Sequence, residues 1–281
     1  MIVPQGRAPC GFSAAGGRGM PGEVAAVTEL KLTKLKANER IDDLMTFNLK
    51  IIQSPDVFCF SLDAVLLARF CTVPAKGRIL DLGTGNGVIP LLLSTRTKAS
   101  ITGVEIQRRL WDMAVRGVRM NGLEDRIRIV LGDLRRLPEE EAPESYDLVT
   151  VNPPYLPVPQ GQVNANEHHA WARHEVMCTL EDVVRVAARL VRSGGKVAMV
   201  HRPSRLAEIV ETLRGHRLEP KRLRFVHPRA GAEANMILIE AMKGGKPDLR
   251  VHPPLIVHRE DNRYCDELLD VFEGRKGELG G

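Results

Sequence analysis

From Arg78 onward the chain repeats one pattern: a short run of apolar and β-branched residues, a turn, then a stretch with apolar residues at helical spacing. A helix between two strands carries the chain back to the end of the sheet where the first strand began, so the strands it joins run parallel. The spacing predicts strands at 78–82, 100–105, 127–131, 146–151 and 196–200, with helices at 87–95, 107–121, 180–192 and 204–214. Two further strand-like runs, near 221–227 and 235–242, have only Pro228 to Glu233 between them, so this last pair is expected to be antiparallel. The pattern implies an α/β protein with a mostly parallel sheet. Such sheets bind ligands beyond the carboxyl ends of their strands.

The flanks are simpler. Residues 1 to about 22 are rich in glycine and proline and read as a flexible leader, and 23–36 as a short helix. Leu44 to Ile52 resembles a strand running into the turn signal Ser54-Pro55-Asp56, and Ser61 to Ala68 a helix with Ser61 as N-cap. Gly244-Gly245-Lys246-Pro247 and then Pro253-Pro254 punctuate the end of the chain. The expected organisation is a flexible extension over 1–36, one domain over 37–245 and a surface tail over 246–281.

Length allows one large domain, and 43% hydrophobic with 27% charged residues is ordinary for a globular protein. Five scattered cysteines, none in a C-x-x-C pair, argue against a disulfide framework or a zinc site and fit a reducing cytoplasm. No run approaches a membrane span, and a monomer without an obligate protein partner is the default expectation. The net charge of +5 favours a polyanionic partner. Basic residues concentrate at Lys31, Lys34, Lys36 and Arg40 and again between Arg202 and Arg229. Each cluster also has a plainer reading as a solvated face.

Ile79-Leu80-Asp81-Leu82-Gly83-Thr84-Gly85-Asn86-Gly87 is a strand entering a glycine-rich turn before a helix, so a ligand can lie directly on main chain there. Val88 stands where a dinucleotide fingerprint needs Gly or Ala, which weakens an NAD reading. Glu105 ends the second strand, where a carboxylate can accept from both hydroxyls of a ribose. Asp133 ends the third and can accept from an adenine amino group. Asn152-Pro153-Pro154-Tyr155 closes the fourth. An exocyclic or amide nitrogen has its lone pair delocalised and must be held by its hydrogens. Asn152 offers a side-chain carbonyl, Pro153 a backbone carbonyl of restricted direction, and Tyr155 a flat face. By itself, Asn-Pro-Pro is also a common turn.

Together these residues resemble the class I S-adenosylmethionine-dependent methyltransferases, specifically the amino-methylating group with Asn-Pro-Pro-Tyr, over roughly residues 40–245. The resemblance implies a Rossmann-like fold with a seven-stranded, mostly parallel sheet whose last strand is antiparallel, and S-adenosylmethionine as cofactor. It implies that Gly83, Gly85 and Gly87 pack on the methionine part, with Asp81 and Asn152 also in the cofactor site. Glu105 then holds the ribose, and Asp133 and Leu134 border the adenine. Asn152 and the Pro153 carbonyl hold the target amine, with Pro154 and Tyr155 completing the catalytic motif and Tyr155 stacking on the target ring.

Three further segments, Phe60 to Leu67, Ala172-Arg173-His174-Glu175 and His201-Arg202-Pro203, are similar to the bacterial tRNA1(Val) adenine N6-methyltransferases, whose target adenine lies beside the anticodon. That implies tRNA as partner, with Asp63, Arg173 and Arg202 as substrate-binding candidates. Asp63 reads equally as a first-turn helix charge, and Arg173 as the partner of a local carboxylate. The same four residues also suit a release-factor glutamine or a guanine of ribosomal RNA, and a non-catalytic RNA-binding module stands as the alternative of another class. His168, His169 and His174 lack a completing ligand set, so no metal is expected. Residues 157–173 read as a substrate loop.

Overall fold

The computed structural model describes residues 34–44, 46–57, 59–137, 142–153, 178–272 and 279. Pro154, Tyr155, Arg173, the three histidines and the expected loop at 157–173 lie outside them, as does the expected helix up to residue 33. Strands β1 (Arg40–Asp43) and β2 (Lys50–Gln53) form an antiparallel hairpin. Strands β3 (Arg78–Leu82), β4 (Ser100–Glu105), β5 (Ile127–Leu131), β6 (Tyr146–Val151), β7 (Val191–His201), β8 (Leu218–His227), β9 (Met236–Lys243) and β10 (Arg250–Ile256) form one sheet of eight in the order β10-β8-β9-β7-β6-β3-β4-β5. Only β9 runs against the rest, lying between β7 and β8. The helices are α1 (Leu62–Phe70), α2 (Val88–Ser94), α3 (Arg108–Met120), α4 (Leu180–Leu190), α5 (Leu206–Gly215) and α6 (Asp266–Phe272).

The central strands are apolar on both faces because both are covered. Ile79, Ile101, Leu148 and Ala198 pack towards α1 and α2, whereas Leu80, Leu82, Val149, Val151 and Met199 pack towards α4. Helix α3 buries Leu110, Met113, Ala114, Gly117 and Val118, one stripe at helical spacing, and keeps its arginines on the other side. Thr179 and Asp182 close a capping box at the start of α4. No helix among the described residues is long and apolar enough to cross a membrane.

Three expectations are corrected. Leu44 to Ile52 is not one strand: the chain turns at Phe47 and Asn48, both at positive φ, and only Lys50 onward is β2. The tail does not merely lie over the surface, because residues 250–256 add an eighth strand, parallel to β8, to the expected seven. Leu255, Val257, Leu268, Val271, Phe272 and Leu279 are buried in the same core as α1 and α2. Each such side chain contributes about 1.5–3 kcal/mol, enough to make the segment integral. Finally, Lys36, expected in a flexible extension, is fastened to α3 through Asp112 at 2.8 Å.

Candidate active site

Strand register puts the sequence motifs level with one another. Leu82 pairs with Val104 on one side and Val151 on the other, and Glu105 pairs with Leu131. Hence Gly83, Glu105, Asp133 and Asn152 all leave the sheet at its carboxyl edge, within one or two residues of a common row. Val151 pairs in turn with Met199, bringing His201 and Arg202 to that edge.

The turn after β3 has Gly83, Gly85 and Gly87 at φ of 71°, 57° and 88°, a conformation that side chains resist. A Cβ on Gly83 or Gly85 would meet nothing within 4 Å, whereas one on Gly87 would come 3.3 Å from the Ala114 Cβ of α3. The first two glycines therefore face open space and the third permits close packing. The Gly85 N–H donates to Glu105 Oε2 at 2.9 Å and the Gln107 N–H to Oε1 at 2.8 Å, so the carboxylate ties the turn to the end of β4. Burial pushes the Glu105 carboxyl up, against those two backbone donors.

Beneath the turn, Asp81 is wholly buried, with Oδ1 accepting from the Thr150 hydroxyl at 2.7 Å. Its Oδ2 has no hydrogen bond of ordinary geometry, although the nearby Thr84 hydroxyl favours the charged form. Burial outweighs both hydroxyls and raises the carboxyl to about 7. Gly103 lies beside Asp81 in register, and a Cβ there would come 2.9 Å from the Thr84 side chain. Asn86 is also buried and donates from Nδ2 to Ile52 O at 3.0 Å, joining the turn to β2.

Asn152 is half-buried and Pro153 buried, immediately after β6. Asp133 accepts from the Arg135 N–H at 2.9 Å and from its guanidinium, which holds the carboxyl below the usual range. Leu134 opens the short 3-10 turn that Asp133 caps. Asp63 is buried in the first turn of α1, where Oδ1 accepts from Ser61 Oγ and from the Ala64 N–H. Ser61 stands at the N-cap as expected but makes no capping bond to the helix. Arg202 donates to Asn235 O at 3.0 Å, and its N–H to His201 Nδ1 at 2.8 Å. Burial lowers His201 to about 4, so the ring is neutral near pH 7. Nothing in the sequence singles out Thr150 or Gly103; only the alternation that puts Thr150 two residues before Asn152 hints that both share a face. Among the described residues no group of three or more His, Cys, Asp or Glu is placed to hold a metal.

A glycine turn open on one side, a carboxylate at the next strand end and an Asn-Pro pair level with both form a site for a small nucleotide-like ligand facing a polar group. The sequence profile of the methyltransferase small domain family matches residues 48–216, a span that contains all three. The chain belongs to this family. The methyltransferase is 30% identical over 213 residues to the tRNA1(Val) (adenine(37)-N6)-methyltransferase of Tolumonas auensis, covering 75% of this chain and 86% of that protein. It is 29% identical to the enzyme of the same name from Parabacteroides distasonis, over 74% of this chain and 86% of that one. Among solved structures, a predicted O-methyltransferase from Agrobacterium tumefaciens superposes with a TM-score of 0.61 at 27% identity, covering 76% of this chain and 97% of that one. The mostly parallel α/β sheet expected from the sequence is thus the Rossmann-like fold of class I methyltransferases, carried here on eight strands.

Proposed function

We propose that this methyltransferase moves the methyl group of S-adenosylmethionine to the exocyclic N6 amine of an adenine in tRNA, beside the anticodon as in tRNA1(Val). The observation that carries the reading is the register of β6 on β3, which sets Asn152-Pro153 level with the glycine turn. The names of the two bacterial relatives support adenine in tRNA over other amines. The residues fit the cofactor: open space over Gly83 and Gly85 gives it a bed, and Glu105, anchored by two backbone N–H groups, keeps lone pairs for ribose hydroxyls. Asp133, held by Arg135, and Leu134 border the adenine ring of the cofactor.

S-adenosylmethionine supplies an electrophilic methyl group on a sulfonium. The protein's task is to present the nitrogen. Asn152 Oδ1 and the Pro153 carbonyl accept the two amine hydrogens, which favours a more tetrahedral nitrogen and frees its lone pair for in-line attack. No strong base is needed, since the proton is lost only after the nitrogen has become cationic. An adenine drawn from its stack needs a replacement face, worth about 1–3 kcal/mol per base, and Tyr155, two residues after the amine-holding pair in the chain, is the aromatic assigned to supply it. Arg202 and Arg173 serve the RNA backbone, and Asp63 the wall of the pocket. The enzyme acts in the cytoplasm as a monomer.

The test is to incubate the protein with methyl-labelled cofactor and, in parallel, with tRNA lacking the modification, ribosomal RNA and a release factor, then digest each and identify the labelled nucleoside or residue by mass spectrometry. N6-methyladenosine in tRNA is the expected product. Label in a release-factor glutamine or a ribosomal guanine would transfer the same chemistry to another substrate. RNA binding with no methyl product and no cofactor binding would reduce the protein to a binding module.

A further inference from the structure

The hairpin that precedes the sheet has no role in the site described so far, yet it touches the glycine turn. Strand β2 runs towards the carboxyl edge of the sheet: Lys50 exchanges hydrogen bonds with Asn121 at the end of α3, and Ser54 Oγ accepts from Arg109 in its first turn. Ile51 packs with α1 and α2, while Ile52 packs with α3, so strand alternation turns Gln53 to the α1 and α2 side. Asp81 shares that layer, lying two residues after Ile79, which packs the same way. Gln53 is therefore beside the glycine turn, next to the Ile52 carbonyl that holds Asn86.

Its side chain is 5% exposed, Nε2 donates to Asp42 Oδ2 at 2.5 Å, and Oε1 is buried with no hydrogen-bond partner. An acceptor shut away from both water and protein is unusual and calls for a donor. The hydrogen bond to an anionic carboxylate polarises the amide and strengthens Oε1 as an acceptor for a cation. Arg40, opposite Gln53 in the hairpin register, donates from Nε to both oxygens of the same Asp42, so the carboxylate that holds Gln53 is fixed in place.

We propose that Gln53 is a cofactor-binding residue whose Oε1 accepts a hydrogen bond from the α-ammonium group at the amino-acid end of the methyl donor. This rests on the methyltransferase reading of the glycine turn. It leaves the adenosine end to Glu105 and the residues after β5, so the two ends of the ligand are held by separate parts of the fold.

Calorimetry with two ligands tests it. S-adenosylhomocysteine has the amino-acid end, and 5′-methylthioadenosine keeps the adenosine and thioether but lacks that end. Gln53→Leu is expected to weaken S-adenosylhomocysteine about tenfold, roughly 1.4 kcal/mol, while 5′-methylthioadenosine stays within twofold. Equal weakening of both ligands would mean that Gln53 only supports the hairpin, and no weakening of either would also overturn the proposal. If Gln53→Leu melts too low for the assay, Gln53→Met, closer in length and shape and without the amide, takes its place. Wild-type protein that binds neither ligand would instead sink the methyltransferase reading itself.

Discussion

Asn152 and Glu105 occupy the same sheet edge but are asked for different things, and single substitutions separate them. In the proposed mechanism Asn152 accepts from the amine as it is presented, so for Asn152→Ala turnover should fall at least about a hundredfold, on the scale of a lost transition-state contact, with S-adenosylhomocysteine affinity within about threefold of wild type. Glu105→Ala frees the Gly85 and Gln107 N–H groups and removes the proposed ribose acceptor, so cofactor affinity should drop at least tenfold. Comparable activity of Asn152→Ala and wild type would remove the amine-holding role. Asp81 gives a pH signature instead. Its carboxyl stands at about 7 in the folded protein against 3.8 in the reference state, so the folded form holds a proton that the unfolded form has lost. Stability from this group is full below pH 4 and is lost as pH rises to about 7. Asp81→Asn cannot lose that proton, so its stability relative to wild type should improve by about 1–3 kcal/mol between pH 5 and pH 8 in urea titrations without cofactor. An unchanged difference at the two pH values would show that Asp81 is not the titrating group.

At the scale of elements, the sequence was most readable where one physical rule acts alone. Strands β3, β4 and β6 match the expected bounds because apolar runs covered on both faces leave no other register, and the edge strand β5 matches on its run of Ile127, Ile129, Val130 and Leu131. The glycine turn was readable because positive φ at three closely spaced positions demands glycine. Strand β10 was hidden by Pro253-Pro254, which read as a break. It survives because it is an edge strand pairing only with β8, and its register shifts between His252 and Leu255, where those prolines stand. The hairpin was hidden because Phe47 takes a positive φ that its side chain gives no sign of. Gln53 was invisible for a further reason: its significance depends on which helices the hairpin packs against, a tertiary fact. What fastens the C-terminal segment is equally non-local. Arg224, 3% exposed, donates to both Glu267 carboxylate oxygens at 2.7 and 2.8 Å and to Pro253 O at 2.9 Å, linking β8, β10 and α6. Glu267→Ala leaves that guanidinium buried without its counter-charge and should cost about 3 kcal/mol, seen as a lower urea midpoint. Arg224→Met with Glu267→Leu should recover much of the loss, since an apolar pair needs no counter-charge; an equally unstable double variant would mean the pair contributes something packing cannot replace.

Across the whole molecule, the +5 net charge matters less than where uncompensated cations stand. Many arginines are already neutralised by a neighbour: Arg135 by Asp133, Arg205 by Glu208, Arg214 by Glu219 and Arg192 by Asp147. At the carboxyl edge three exposed arginines have no carboxylate in ion-pair range among the described residues: Arg108 at the start of α3, Arg136 after β5 and Arg229 after β8. They are spread along that edge from the end of β5 to the end of β8, a spacing that suits a polyanion laid across the sheet rather than a small neutral substrate. Phosphate contacts of this kind release counterions, so each should add roughly one to the slope of log affinity against log salt concentration. The double variant Arg136→Glu with Arg229→Glu is therefore expected to weaken tRNA binding at least tenfold at low salt and to flatten that slope by about two. S-adenosylhomocysteine affinity should change by less than about threefold, because Arg136 acts on Asp133 only through its charge and Arg229 stands after β8. Filter binding over a salt series measures both quantities. An unaltered slope would place the RNA on another face of the protein, while a fall in cofactor affinity as well would mean that the substitutions had disturbed the sheet edge itself.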